Sequence, residues 1–126
     1  MYACLVLPFP PTVNNLFVNN PRSRGRFPSK VYKEWQGEAS RTLQLQSPLP
    51  AFSGPVSLTF RFGRPDKRRR DLFNLVKAPE DLLVKHGVIE DDSLVERGTV
   101  EWAEDVNGCL IEIRSIPHQR ITEVMR

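Results

Sequence analysis

The sequence predicts a two-layer α+β single domain: a mostly antiparallel sheet with two helices on one face. Three observations lead there. Residues 56–63 alternate strictly, with Val56, Leu58, Phe60 and Phe62 on one side and Ser57, Thr59 and Arg61 on the other. That is the period of a half-buried strand. Two stretches, 29–46 and a shorter one from about Asn74, carry apolar residues at helical spacing instead. At 126 residues the chain suits one core rather than two.

In chain order, residues 2–7 are a short apolar run stopped by Pro8, the signature of a buried strand. Residues 8–28 hold five prolines and four asparagines. That is loop chemistry, with Leu16, Phe17 and Val18 as a brief strand inside it. Arg22, Arg24, Arg26 and Lys30 give this loop two readings, a phosphate-contacting arm or a solvated mobile loop. The helix over 29–46 starts on Ser29 as N-cap and presents Val31, Trp35, Ala39 and Thr42 or Leu43, with Trp35 as a core residue. A proline-rich connection over 47–55 leads into the alternating strand.

After that strand the chain turns basic. Arg64, Lys67, Arg68, Arg69 and Arg70 precede Asp71, then Asn74 and Lys77 follow at intervals of three. Asp71 to Phe73 is expected to be extended or turn-like, entering a helix near Asn74, with Pro79 tolerated in its first turn. Leu75, Leu82 and Leu83 form its apolar face, and His86-Gly87 is its end, His86 as a capping residue. Glu90, Asp91 and Asp92 follow on a short extended piece. Residues 94–104 form a strand with Leu94, Val100 and Trp102 on one side. Asn107-Gly108 signals a hairpin, and Cys109, Ile111 and Ile113 face inward on the returning strand. Residues 118–126 have no pattern to pair with and read as a mobile tail, leaving 1–117 as the domain.

A net charge of +3 is modest, but the base is concentrated at 22–30 and 64–70, as nucleic-acid contact requires. No apolar run approaches the roughly 20 residues of a membrane span, and 1–7 lacks the charged leader of a secretory signal. Cys4 and Cys109 read as two buried free thiols of a reducing cytosol. Cations beside a lone acid, with further acids returned by a short helix, form the arrangement that metal-dependent phosphodiester chemistry needs. The cations hold a polyanion, and the carboxylates hold a hard divalent ion against one phosphate.

The motifs RRRDLFNLVKA at 68–78, HGVIEDDSLV at 86–95 and LPFPPTVNN at 7–15 resemble the RusA-type Holliday-junction resolvases, small dimeric nucleases of bacteria and their phages. The resemblance spans Leu7 to about Ile116, with the motifs in family order. It implies a RusA-like fold and a cytoplasmic homodimer that resolves four-way DNA junctions by paired symmetric nicks, in recombination and repair. A small-molecule substrate and a membrane partner are not expected. Mg2+, or Mn2+, would be bound by Asp71 and Asp92 with Asp91 as a further ligand, and Asp71, Lys77 and Asp92 would be the catalytic residues. Lys67, Arg68, Arg69, Arg70 and Asn74, with Arg22, Arg24 and Arg26, would contact DNA. The family's usual wording is DLDN, and here Phe73 stands in place of the second acid. The alternative is therefore a junction- or branched-DNA-binding protein with weak or no nuclease activity; a third reading is a nuclease acting on other branched DNA or on flaps rather than on true four-way junctions.

Overall fold

The computed structural model describes residues 1–23 and 25–117. Its elements in order are β1 (Tyr2–Leu7), β2 (Phe17–Asn19), β3 (Arg26–Pro28), α1 (Lys30–Gln44), β4 (Val56–Phe62), α2 (Lys77–Lys85), β5 (Val95–Trp102) and β6 (Cys109–Ser115). Short 3-10 turns lie at Val13–Asn15, Leu72–Leu75 and Asp92–Leu94. The main sheet has the order β1-β6-β4-β5, and β2 and β3 form a separate ribbon. The expected α+β class holds, with β1–β6 and β4–β6 antiparallel and β4–β5 parallel.

The alternation of β4 decides the core. Val56, Leu58, Phe60 and Phe62 are buried, and register carries the same face across the neighbouring strands. Leu5 and Phe60 both lie opposite Ile111, and Leu7 and Phe62 both lie opposite Cys109. Tyr32, Trp35, Ala39 and Leu43 of α1 and Ala78, Leu82 and Leu83 of α2 join this one cluster, so both helices cover the same face. Each large side chain fully buried here contributes roughly 1.5–3 kcal/mol.

Local expectations fare unevenly. Ser29 caps α1 by accepting the Tyr32 N–H at 3.1 Å, and Trp35 is core, donating Nε1–H to the Pro8 carbonyl. The inward stripe, however, uses Tyr32, while Val31 is exposed. Cys109 is buried but Cys4 is exposed, because Leu5 and Leu7 take the inward positions of β1 and Cys4 falls on the alternate side. The 8–28 segment is more ordered than loop chemistry suggests. Leu16 is fully buried, and β2 and β3 pair from Phe17 to Pro28. The tail, 118–126, lies outside the described residues.

The Asn107-Gly108 hairpin expectation is overturned. β5 and β6 are not neighbours; β4 lies between them, and the 103–108 connection crosses the end of β4. Gly63 makes the crossing possible. It donates its N–H to the Gly108 carbonyl at 2.9 Å, and a Cβ there would sit 1.7 Å from the Val106 carbonyl oxygen. Parallel β4 and β5 then need a crossover between them. That crossover is 63–94, the segment containing every candidate catalytic residue.

Candidate active site

β4 ends at Phe62 and delivers the basic segment from a rigid strand. Asp66 organises it. Its carboxylate accepts the Arg68 N–H at 2.9 Å and two guanidinium bonds from Arg70, at 2.6 and 3.0 Å. Arg68 adds a further contact at 3.1 Å. These bonds, Arg70's first, hold the Asp66 carboxyl well below the usual carboxylate range. Aromatic rings hold the other sides. Arg64 lies over Trp102 at 4.1 Å and Arg70 over Phe9 at 5.4 Å, while Phe9 and Trp102 stack on one another. The Arg70 side chain is only 14% exposed as a result. Arg64, Arg69, Arg70 and Asp71 together line a shallow recess of about 400 Å³. A second groove joins Arg68–Arg70 to Pro10, Pro11 and Thr12 of the N-terminal motif. Lys67 is exposed beside them.

Asp71 is extended, but the extended stretch ends there. Leu72–Leu75 is a 3-10 turn whose Phe73 N–H donates to Asp71 Oδ1 at 3.2 Å. Asn74 donates its N–H to the Asp71 carbonyl. The α-helix therefore begins at Lys77 rather than near Asn74, with Pro79 in its first turn and Gly87 ending it at φ +72°. Phe73 points away from the core and is 76% exposed.

Asp92 lies with two acids that the sequence motifs do not single out. Its carboxylate, with those of Glu80 and Asp81, forms a group whose ligand atoms all lie within 4.8 Å of one another. Ligand oxygens around a Mg2+ ion stand up to about 4.2 Å apart, since each bond is about 2.1 Å. A modest closing of three hard oxygen donors thus fits a divalent ion. The crowding is visible in Glu80, whose carboxyl is pushed up by burial and then by the charges of Asp92 and Asp81. Lys77 offsets part of it, pairing with Asp81 at 3.2 Å and carrying a raised pKa for that reason.

The remaining candidates are dispersed. Asp91 accepts the backbone N–H and the hydroxyl of Ser93, so it caps the turn that carries Asp92. Glu90 accepts the Gly54 N–H at 2.7 Å. His86 is hydrogen-bonded to Ser40 at 2.9 Å, joining α2 to α1. Arg22 lies in the turn between β2 and β3, Arg26 lies over Phe17 at 4.9 Å, and Arg24 lies outside the described residues. Asp71 is not a member of the three-carboxylate group. Glu80 and Asp81 belong to none of the sequence motifs that mark the other acids. The signal was available, because a helix starting at Lys77 puts Glu80 and Asp81 at i+3 and i+4, beside the lysine.

A family model described as "Endodeoxyribonuclease RusA" matches residues 8–114. The chain is 34% identical over 92 residues to the crossover junction endodeoxyribonuclease RusA of Escherichia coli strain K12, covering 72% of this chain and 74% of that protein. It is 33% identical over 91 residues to the enzyme of the same name from Enterobacteria phage 82, with the same coverage. It is 33% identical over 92 residues to that of Aquifex aeolicus strain VF5, covering 68% of this chain and 73% of that protein.

Proposed function

The chain belongs to the RusA endodeoxyribonuclease family, and from that premise we propose that it is a metal-dependent nuclease resolving four-way DNA junctions. The observation that carries the proposal is the pairing of one cationic recess with one carboxylate cluster on a single crossover between β4 and β5. A homodimer would supply one such site to each of two symmetric nicks.

Asp92 with Glu80 and Asp81, and Asp71 from the side of the arginine recess, are the residues that would hold Mg2+ or Mn2+. Such an ion, when bound, would lower the pKa of a coordinated water below that of bulk water and offset charge on phosphoryl oxygens. The chain's own residues do the rest. Arg64, Arg69 and Arg70 hold a phosphate beside Asp71, with Arg70 pre-set by Asp66 so that little side-chain freedom is lost on binding. Arg68 and Lys67 extend the contact along the backbone without reading sequence; Asn74 is assigned to the same contact. Lys77, at the edge of the carboxylate cluster, donates to charge developing on the phosphate once it leaves Asp81. Asp91 keeps the Asp92 turn in place.

A second reading, junction binding without efficient cleavage, draws on Phe73, which brings no carboxylate where the family has its second acid. One assay separates the two. A labelled synthetic junction should be cut by the native chain with Mg2+ and not without it. Asp71→Asn should abolish cutting while binding the junction as tightly or more tightly. Binding with no cutting at any Mg2+ or Mn2+ concentration establishes the second reading, and cutting by Asp71→Asn at the native rate removes Asp71 from the site.

A further inference from the structure

No other aromatic ring among the described residues is as exposed as Phe73, at 76%. Its neighbours in the site behave differently. Phe9 and Trp102 are stacked and covered by arginines, and even Phe17 on the β2–β3 ribbon has Arg26 over it. Among the described residues Phe73 has no ring partner and no guanidinium above it.

The exposure is not that of a loose loop. Asp71 holds the Phe73 N–H and, through its carbonyl, the Asn74 N–H. Leu75, two residues past Phe73, is fully buried, and Leu72, just before Phe73, packs against the core. A phenyl group is thus held out into water on a pinned turn, three residues after Arg70 and four before Lys77.

We propose that Phe73 stacks on a base exposed at the branch point of the DNA, making it the residue that prefers junction over duplex. The proposal rests on the junction-nuclease reading above. The surrounding charge selects the occupant. A ring whose N–H is held by Asp71, itself in the lining of the cationic recess, suits a partner that offers phosphates and an open π-face together, and every base does so once its stacking neighbour is gone. In uninterrupted duplex each base is stacked on both faces, so Phe73 has nothing to cover there. A branch point is where continuous stacking is broken. A second copy of this chain fits poorly. A two-fold contact centred on Phe73 would bring one 64–70 basic run towards its counterpart.

The test compares native chain, Phe73→Ala and Phe73→Tyr on a four-way junction and on a linear duplex of the same arm sequence. Phe73→Ala should lose about tenfold in junction affinity, within the range for one base–aromatic stack, and less than about twofold on duplex, where the arginines dominate. Phe73→Tyr should keep the native preference. With 2-aminopurine at the branch point, saturating native chain should alter its emission and Phe73→Ala should not; 2-aminopurine within an arm should respond to neither. Equal losses on both DNAs, or no loss, overturn the proposal. So does sedimentation in which Phe73→Ala alone turns a dimer into a monomer, since that assigns the ring to a subunit contact. If the native chain does not prefer junctions, the junction reading fails with it. If the native chain prefers them and Phe73→Ala keeps that preference, only the role of Phe73 fails.

Discussion

Asp71 shares a recess with Arg64, Arg69 and Arg70, whereas Asp92 lies with two further carboxylates and one lysine that is already paired. The same side chain thus stands in two opposite fields on one crossover. At the Asp71 end a phosphate would be attracted by the arginines alone. At the Asp92 end it would be repelled until a cation is present. Holding DNA and cutting it should therefore separate experimentally, the first sensitive to salt and the second to divalent metal.

The sharpest way to break this contrast is Asp92→Asn. It removes the carboxylate that Glu80 and Asp81 surround, and should lower junction cleavage by at least about 100-fold, the scale of losing several kcal/mol of charge stabilisation. Junction affinity should stay level or rise. A readout independent of activity comes from melting: Mg2+ should raise the Tm of the native chain and leave that of Asp92→Asn unmoved. Equal Mg2+ stabilisation of both would take the ion away from Asp92.

Asp66→Asn tests the cationic end. Asp66 pairs with Arg68 and fixes Arg70, so the variant should bind DNA about threefold more weakly at low salt as the pre-set guanidinium is lost. Its log–log salt dependence should keep the native slope, since both arginines still reach phosphate. Tighter binding with a steeper slope would mean that Asp66 withholds those guanidinium groups from phosphate in the native complex.

The smallest effect belongs to Glu80→Gln. Burial and acidic neighbours raise the Glu80 carboxyl above its unfolded value. Its contribution to stability is therefore most favourable below the unfolded pKa and is lost as pH rises through the folded one. Replacing it should raise the Tm by about 2 °C at pH 7 in the absence of divalent metal. Below about pH 4, where the carboxyl is protonated folded or unfolded, the gain should vanish. A gain that persists at low pH would come from packing rather than charge.

The sequence by itself determined the parts whose evidence is periodic or contiguous. Strict alternation from Val56 to Phe62 requires one buried and one open side, Ser29 is a cap within its own first turn, and the arginines that flank Asp71 are adjacent to it in the chain. Tertiary structure alone decided which strands are neighbours and which acids meet. Asn107-Gly108 has hairpin chemistry, yet β4 occupies the place beside β5, because Gly63 lets the 103–108 connection pass over its end. Glu80 and Asp81 reach Asp92 because α2 and the Asp92–Leu94 turn pack together, a proximity no local pattern encodes. Phe73 is likewise ambiguous in sequence, since an apolar residue between Leu72 and Leu75 fits a buried stripe equally well. The expected turn-like entry becomes a 3-10 turn over Leu72–Leu75 that postpones the helix to Lys77, and the two leucines take the inward positions while the ring is left in water.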